Sequence, residues 1–291
     1  MVRSRSARHA HGVLAGVLTF VLVLVAAVGG LSLWLRGLDR TPLLERCAAL
    51  LDGTSWYLDP DQAANAALLG GIAGQRALPA RAVTIAVATT LQESKLRNIT
   101  HGDRDSLGLF QQRPSQGWGS EAEILDPVYS TNAFYDALVR IPGYQDLPIT
   151  EAAQAVQRSG FPEAYAQHEA RARAWASALS GYSPASLTCT LGSATPGDPA
   201  VVASLAARDL GLTPTSEGAS LVLDATTLPG GSAEPSRLGW AVGQWAVSTA
   251  SATQVVEVRT ADQTWTRASG TWSPTTAVLA PGRVELVLEA G

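Results

Sequence analysis

The chain has 291 residues, 46% of them hydrophobic and 16% charged, which is enough apolar material for at least one sizeable core. Its formal charge is −4; Arg3, Arg5 and Arg8 contribute +3 of this, which leaves −7 for the remainder. An outer region that acidic, without basic clusters, argues against nucleic acid or anionic lipid as a partner.

Residues Gly12 to Leu35 carry no charge and are mostly Val, Leu, Ala and Gly. As a helix they would extend ~36 Å, more than a hydrocarbon core of ~30 Å. They predict a transmembrane helix over 12–35 behind a cytoplasmic tail over 1–11, the arginines favouring a cytoplasmic N-terminus. A cleaved signal peptide is the alternative. In both cases the rest of the chain is extracytoplasmic; in the first it stays at the cell membrane as a single-pass protein. The only two cysteines, Cys47 and Cys189, then lie where disulfides persist, and they bracket one region. A bridge between them is expected, with two unpaired buried thiols as the alternative. Four scattered histidines and no CxxC offer no metal-ligand cluster, and no cofactor is implied.

The middle of the chain reads as helices, with no strand pattern. Asp59 or Asp61 with Pro60 opens one through about Gly74. Pro79 opens the next, in which Ala82, Val83, Ala86, Val87, Thr90 and Leu91 recur at helical spacing. Asn98 and the Gly102 turn end it, so Glu93 falls in its last turns. There the helix dipole and apolar neighbours disfavour the ionised carboxylate, the condition for protonating a sugar leaving group. Asp126 and Pro127 open a further helix, Thr150 caps a short one, and Phe161-Pro162 begins a longer one stopped by Gly181.

Glu93-Ser94 followed by Gly108-Leu109-Phe110-Gln111 resembles the paired signature of the lysozyme-like superfamily, which includes goose-type lysozymes and soluble lytic transglycosylases. The wider wording SLGLFQQRPSQGWG is similar to membrane-anchored, wall-associated proteins of high-GC Gram-positive bacteria. The resemblance covers about Cys47 to Cys189 and implies a mainly α lysozyme-like domain, taken as 41–190. It also implies cleavage of the β-1,4 bond of peptidoglycan between N-acetylmuramic acid and N-acetylglucosamine, so that glycan strands are the expected partner. Glu93 is then the general acid, with Ser94 orienting it, and Gly108, Leu109, Phe110, Gln111 and Gln112 line the saccharide groove. The absence of a Cβ at Gly108 would let the backbone approach the sugar. Asp103 and Asp105 resemble the acidic loop of goose-type enzymes, where a second carboxylate activates water. A lytic transglycosylase needs only the one acid, and the two reactions stay open. The third superfamily motif, commonly Ala-Tyr-Asn-Ala-Gly, is replaced here by Ala155-Val156-Gln157-Arg158-Ser159-Gly160. Gln157 can supply its amide and Tyr165 its ring, or both can be packing residues. Trp118 suits a sugar-stacking platform or a loop anchor. That departure keeps a second class open, a wall-binding scaffold that retains the fold without cutting.

Residues 191–198 read as a linker and 199–291 as a small α+β domain. Asp198-Pro199 opens a helix to Leu210, another spans Ser236 to Ala250, and Leu221–Leu223, Val255–Val258, Trp265–Arg267 and Val284–Leu288 read as strands. The four tryptophans at 240, 245, 265 and 272 read as core. No catalytic grouping is visible in this part, and the sequence does not say what it docks to.

Overall fold

A computed structural model describes residues 18–32, 44–158 and 162–291. Leu44–Gly291 forms one compact unit, and the helix over 18–32, α1, belongs to a separate one. The expected cytoplasmic tail and the ends of the expected membrane span lie outside the described residues. Among the described residues no helix is long and apolar enough to cross a membrane. The fifteen described residues of α1 extend ~22 Å, against a hydrocarbon core of ~30 Å. The expected fold class, a helical domain behind one transmembrane helix, is corrected accordingly.

The compact unit opens with strands where only helices were expected. β1 (Arg46–Leu51) and β2 (Thr54–Leu58) form a hairpin, and β3 (Leu187–Thr190) pairs with the other edge of β1. The hairpin turn is Asp52-Gly53, both with positive φ (51° and 74°), the backbone twist that suits a two-residue turn. Cys47 stands opposite Cys189 across β1 and β3, and the two are joined in a disulfide spanning 142 residues. The expected bridge is present.

The helices are α2 (Pro60–Gln75), α3 (Ala80–Ser94), α4 (Glu121–Leu125), α5 (Pro127–Leu138), α6 (Ile149–Gln157) and α7 (Glu169–Leu179). α2, α3 and α5 follow closely where helices were expected; α4 was not expected, and α6 starts ahead of Thr150, with Pro148 and not Thr150 at its N-cap. Asp126 caps α5 by accepting from the Val128 amide. The long helix expected from Phe161 is instead a 3-10 stretch, Pro162–His168, followed by α7. α3 is the central element, with Val83, Ile85, Ala86, Val87 and Ala88 at most 1% exposed, so it is buried on every side.

The remaining chain gives α8 (Pro199–Leu210), α9 (Pro235–Ser248) and α10 (Ala250–Thr253). With them goes an antiparallel sheet ordered β4-β5-β9-β6-β7-β8. Its strands are β4 (Thr215–Glu217), β5 (Ser220–Asp224), β6 (Val255–Thr260), β7 (Gln263–Thr266), β8 (Trp272–Pro274) and β9 (Arg283–Leu288). This part is not a separate body. One hydrophobic cluster runs from Cys47 through Leu91 to Trp245 and Leu286. Gln244 of α9, fully buried, accepts from the amides of Ser186 and Leu187 and donates to the Ala178 carbonyl. Trp245 Nε1 donates to the buried Asp209 of α8, whose backbone carbonyl accepts from Gln75 of α2. The expected linker 191–198 therefore crosses the surface of a single shared core.

Candidate functional site

α3 ends one residue past Glu93. Lys95 and Leu96 take left-handed φ of 55° and 57°, and the Leu96 amide turns back to the Thr90 carbonyl at 2.8 Å. The strained turn is held by α2. Gln62 donates to the Lys95 carbonyl at 2.8 Å, Asn65 to the Leu96 carbonyl at 2.9 Å, and Arg97 pairs with both Asp59 and Asp61. The chain cannot continue as helix, and Glu93 is fixed at its mouth, half-buried.

Tyr165, fully buried, donates its phenol hydroxyl to Glu93 Oε1 at 2.6 Å. The same 3-10 stretch braces the preceding residue, with Gln167 Nε2 3.2 Å and His168 Nε2 3.1 Å from the Gln92 side-chain oxygen. His168 is partly buried, and burial, aided by Arg171, lowers its pKa. An amide oxygen only accepts, so the bond calls for the Nε2–H tautomer.

Ser94 does not orient Glu93. Its hydroxyl lies 2.7 Å from the Leu109 carbonyl and 3.1 Å from that of Thr90, and it accepts from the Arg97 amide. It fastens the loop to the helix end. The loop itself is largely internal. Leu109 and Phe110 are fully buried, and Phe110 stacks on Phe134 with centroids 4.4 Å apart. Gly108 has φ +75°, and a Cβ there would come within 2.7 Å of the Ile124 carbonyl. Its missing side chain admits α4 of the same chain, which replaces the expected approach to a sugar. Gln112 is buried and donates to the Ser130 carbonyl, while Gln111 bonds its own loop at the Gly108 carbonyl. Gln157 donates to the Phe110 carbonyl at 2.8 Å, so its amide supports the loop. Trp118 is partly buried against the core and lines an open groove.

The two aspartates part company. Asp105 has both oxygens occupied, one by Arg113 Nε at 2.6 Å and the other by the Ser115 amide at 2.8 Å. Hydrogen bonds from Ser115, then from Arg113, hold its carboxyl well below the usual carboxylate range. Asp103 has a side chain 93% exposed, with Arg104 at 3.8 Å as its ion-pair partner. Neither carboxylate is held toward Glu93 by any described contact, whereas Glu93 and Tyr165 are brought together. Chemically, the assembly offers one positioned carboxyl, able to give and retake a proton, gripped by a phenol beside a buried, braced loop.

Ser159, Gly160 and Phe161, which complete the replaced third motif and open the expected helix, lie outside the described residues. Sequence reasoning missed Gln92, Gln167 and His168 as braces; the only sequence signal for the last two is a polar run, Gln167-His168-Glu169, beginning two residues after Tyr165. No family model matches the chain, and no curated protein is significantly similar to it.

Proposed function

We propose that the protein is a peptidoglycan-cleaving enzyme of the lytic transglycosylase kind, working with Glu93 as its one catalytic carboxyl. The observation that carries this is the 2.6 Å bond from Tyr165 to Glu93 at the end of a buried helix. Support for the one-acid form comes from Asp105, consumed by Arg113 and Ser115, and from the exposure of Asp103. The resemblance of Glu93-Ser94 and Gly108–Gln111 to the lysozyme-like superfamily supplies the substrate class.

Glu93 protonates the glycosidic oxygen as its bond to C1 of the muramoyl residue breaks. The 6-hydroxyl of the same residue attacks C1 and passes its proton to the Glu93 carboxylate. A 1,6-anhydro bond forms, the acid is regenerated, and no water is consumed. Tyr165 holds the carboxyl through both proton transfers.

A wall-binding scaffold is the second reading, favoured by Gln157, whose amide is spent on Phe110. A zymogram on wall material separates the two. The parent gives a cleared band and Glu93→Gln gives none if the enzyme reading holds. Bands of equal strength would remove Glu93, and no band from either would favour the scaffold.

A further inference from the structure

A groove of about 750 Å³ opens between Trp118, α5 and the end of α6. Its wall includes Gln157, which bonds the Phe110 carbonyl, next along the chain from the Leu109 carbonyl that Ser94 grips. The groove thus adjoins the loop fastened beside Glu93. Its charge is one-sided. Asp136, its one acidic lining residue, is paired to Arg76 at 2.6 Å, while Arg140 and Arg158 are exposed and form no ion pair among the described residues. Trp118 and Tyr129 add aromatic faces suited to sugar rings.

Resting on the proposed glycan-cleaving reading, we infer that this groove selects glycan that still carries its stem peptides, with Arg140 and Arg158 taking peptide carboxylates while Trp118 and Tyr129 meet the sugars. Guanidinium groups bind carboxylates through paired, charge-assisted hydrogen bonds, and two without an ion-pair partner among the described residues, in a groove whose described acid is already paired, suit an anionic ligand. A neutral polysaccharide would leave both to water.

The test measures binding in Glu93→Gln protein, so that no turnover intrudes and failure of the cleavage mechanism leaves the result untouched. Soluble glycan strands released from purified wall are compared with the same strands stripped of peptide by an amidase. Peptide-bearing strands should bind more tightly, and the preference should weaken with added salt. Arg140→Gln with Arg158→Gln should weaken binding of the peptide-bearing strands roughly tenfold and leave the stripped strands unchanged. The double lysine variant, which keeps the charge and loses the paired geometry, should bind peptide-bearing strands between the parent and the double glutamine variant, and its unchanged affinity for stripped strands shows that the surface is still folded. Equal affinity for both strand types, binding to neither, or no effect of the double glutamine variant would overturn the inference. So would equally tight binding of peptide-free strands that carry wall phosphate.

Discussion

Glu93 is held by one phenol, and that sets the first expectation. A hydrogen bond to a charged group contributes about 1.5–3 kcal/mol, so Tyr165→Phe should lower kcat roughly 10- to 100-fold. On the proposed reaction Tyr165 acts through Glu93, so KM should stay near the parent value; steady-state release of soluble wall fragments reads both. Asp105 makes a different prediction, about pH and stability. Its folded pKa is depressed by Ser115 and Arg113, so its contribution is fully present above the ordinary carboxylate value of 3.8 and is lost as pH falls below it. Asp105→Asn should therefore melt below the parent at pH 7, and the gap should close toward pH 2. Thermal melts across that range check it. Glycan cleavage at neutral pH should survive the substitution. Glu93 was legible in the sequence as a helix-end acid, but its partner's role was not. Tyr165 lies 72 residues away, and no local pattern brings a phenol onto a particular carboxylate.

Most elements were legible because their ends are local chemistry. Asp126 before Pro127 and Asp198 before Pro199 cap α5 and α8 through their own side chains. Gly211 ends α8 with a left-handed φ of 69°. The small sheet was not read, although Asp52-Gly53 between RCAALL and TSWYL is a two-residue hairpin signal. Its strands show little alternation, and β3 reaches β1 from the far end of the helical region. The loop Gly108–Gln112 was misread in the other direction. A motif can be recognised without its burial being known, and Leu109 and Phe110 prove to be core. The disulfide is an element-scale staple, closing β3 onto β1. With its ends 142 residues apart it stabilises by about 5 kcal/mol in the chain-entropy model, an upper figure. Cys189→Ser should lower the melting temperature sharply, as differential scanning calorimetry reads, while the Tyr165–Glu93 contact lies on other elements.

At the scale of the molecule, α9 joins what the sequence divides. The division rested on Gly192–Asp198 being rich in Gly, Ser and Pro, and composition cannot tell a linker from a surface crossing. Gln244 shows the difference. Replacing it by Leu strands the buried amides of Ser186 and Leu187, at about 1–3 kcal/mol for each unsatisfied group, while the Ala178 carbonyl keeps the Gly181 amide. Gln244→Leu should shift one cooperative transition of Leu44–Gly291 as a whole; two separate transitions would contradict a shared core. The same shared core fixes α3 from behind and keeps Glu93 at its mouth. The most direct test of that acid is mass spectrometry of muropeptides released from purified wall by the parent, Glu93→Gln and Asp103→Asn proteins. The parent and Asp103→Asn should release only 1,6-anhydro ends, and Glu93→Gln none. Reducing ends that vanish in Asp103→Asn, or products unchanged in Glu93→Gln, would contradict a single-acid mechanism at Glu93.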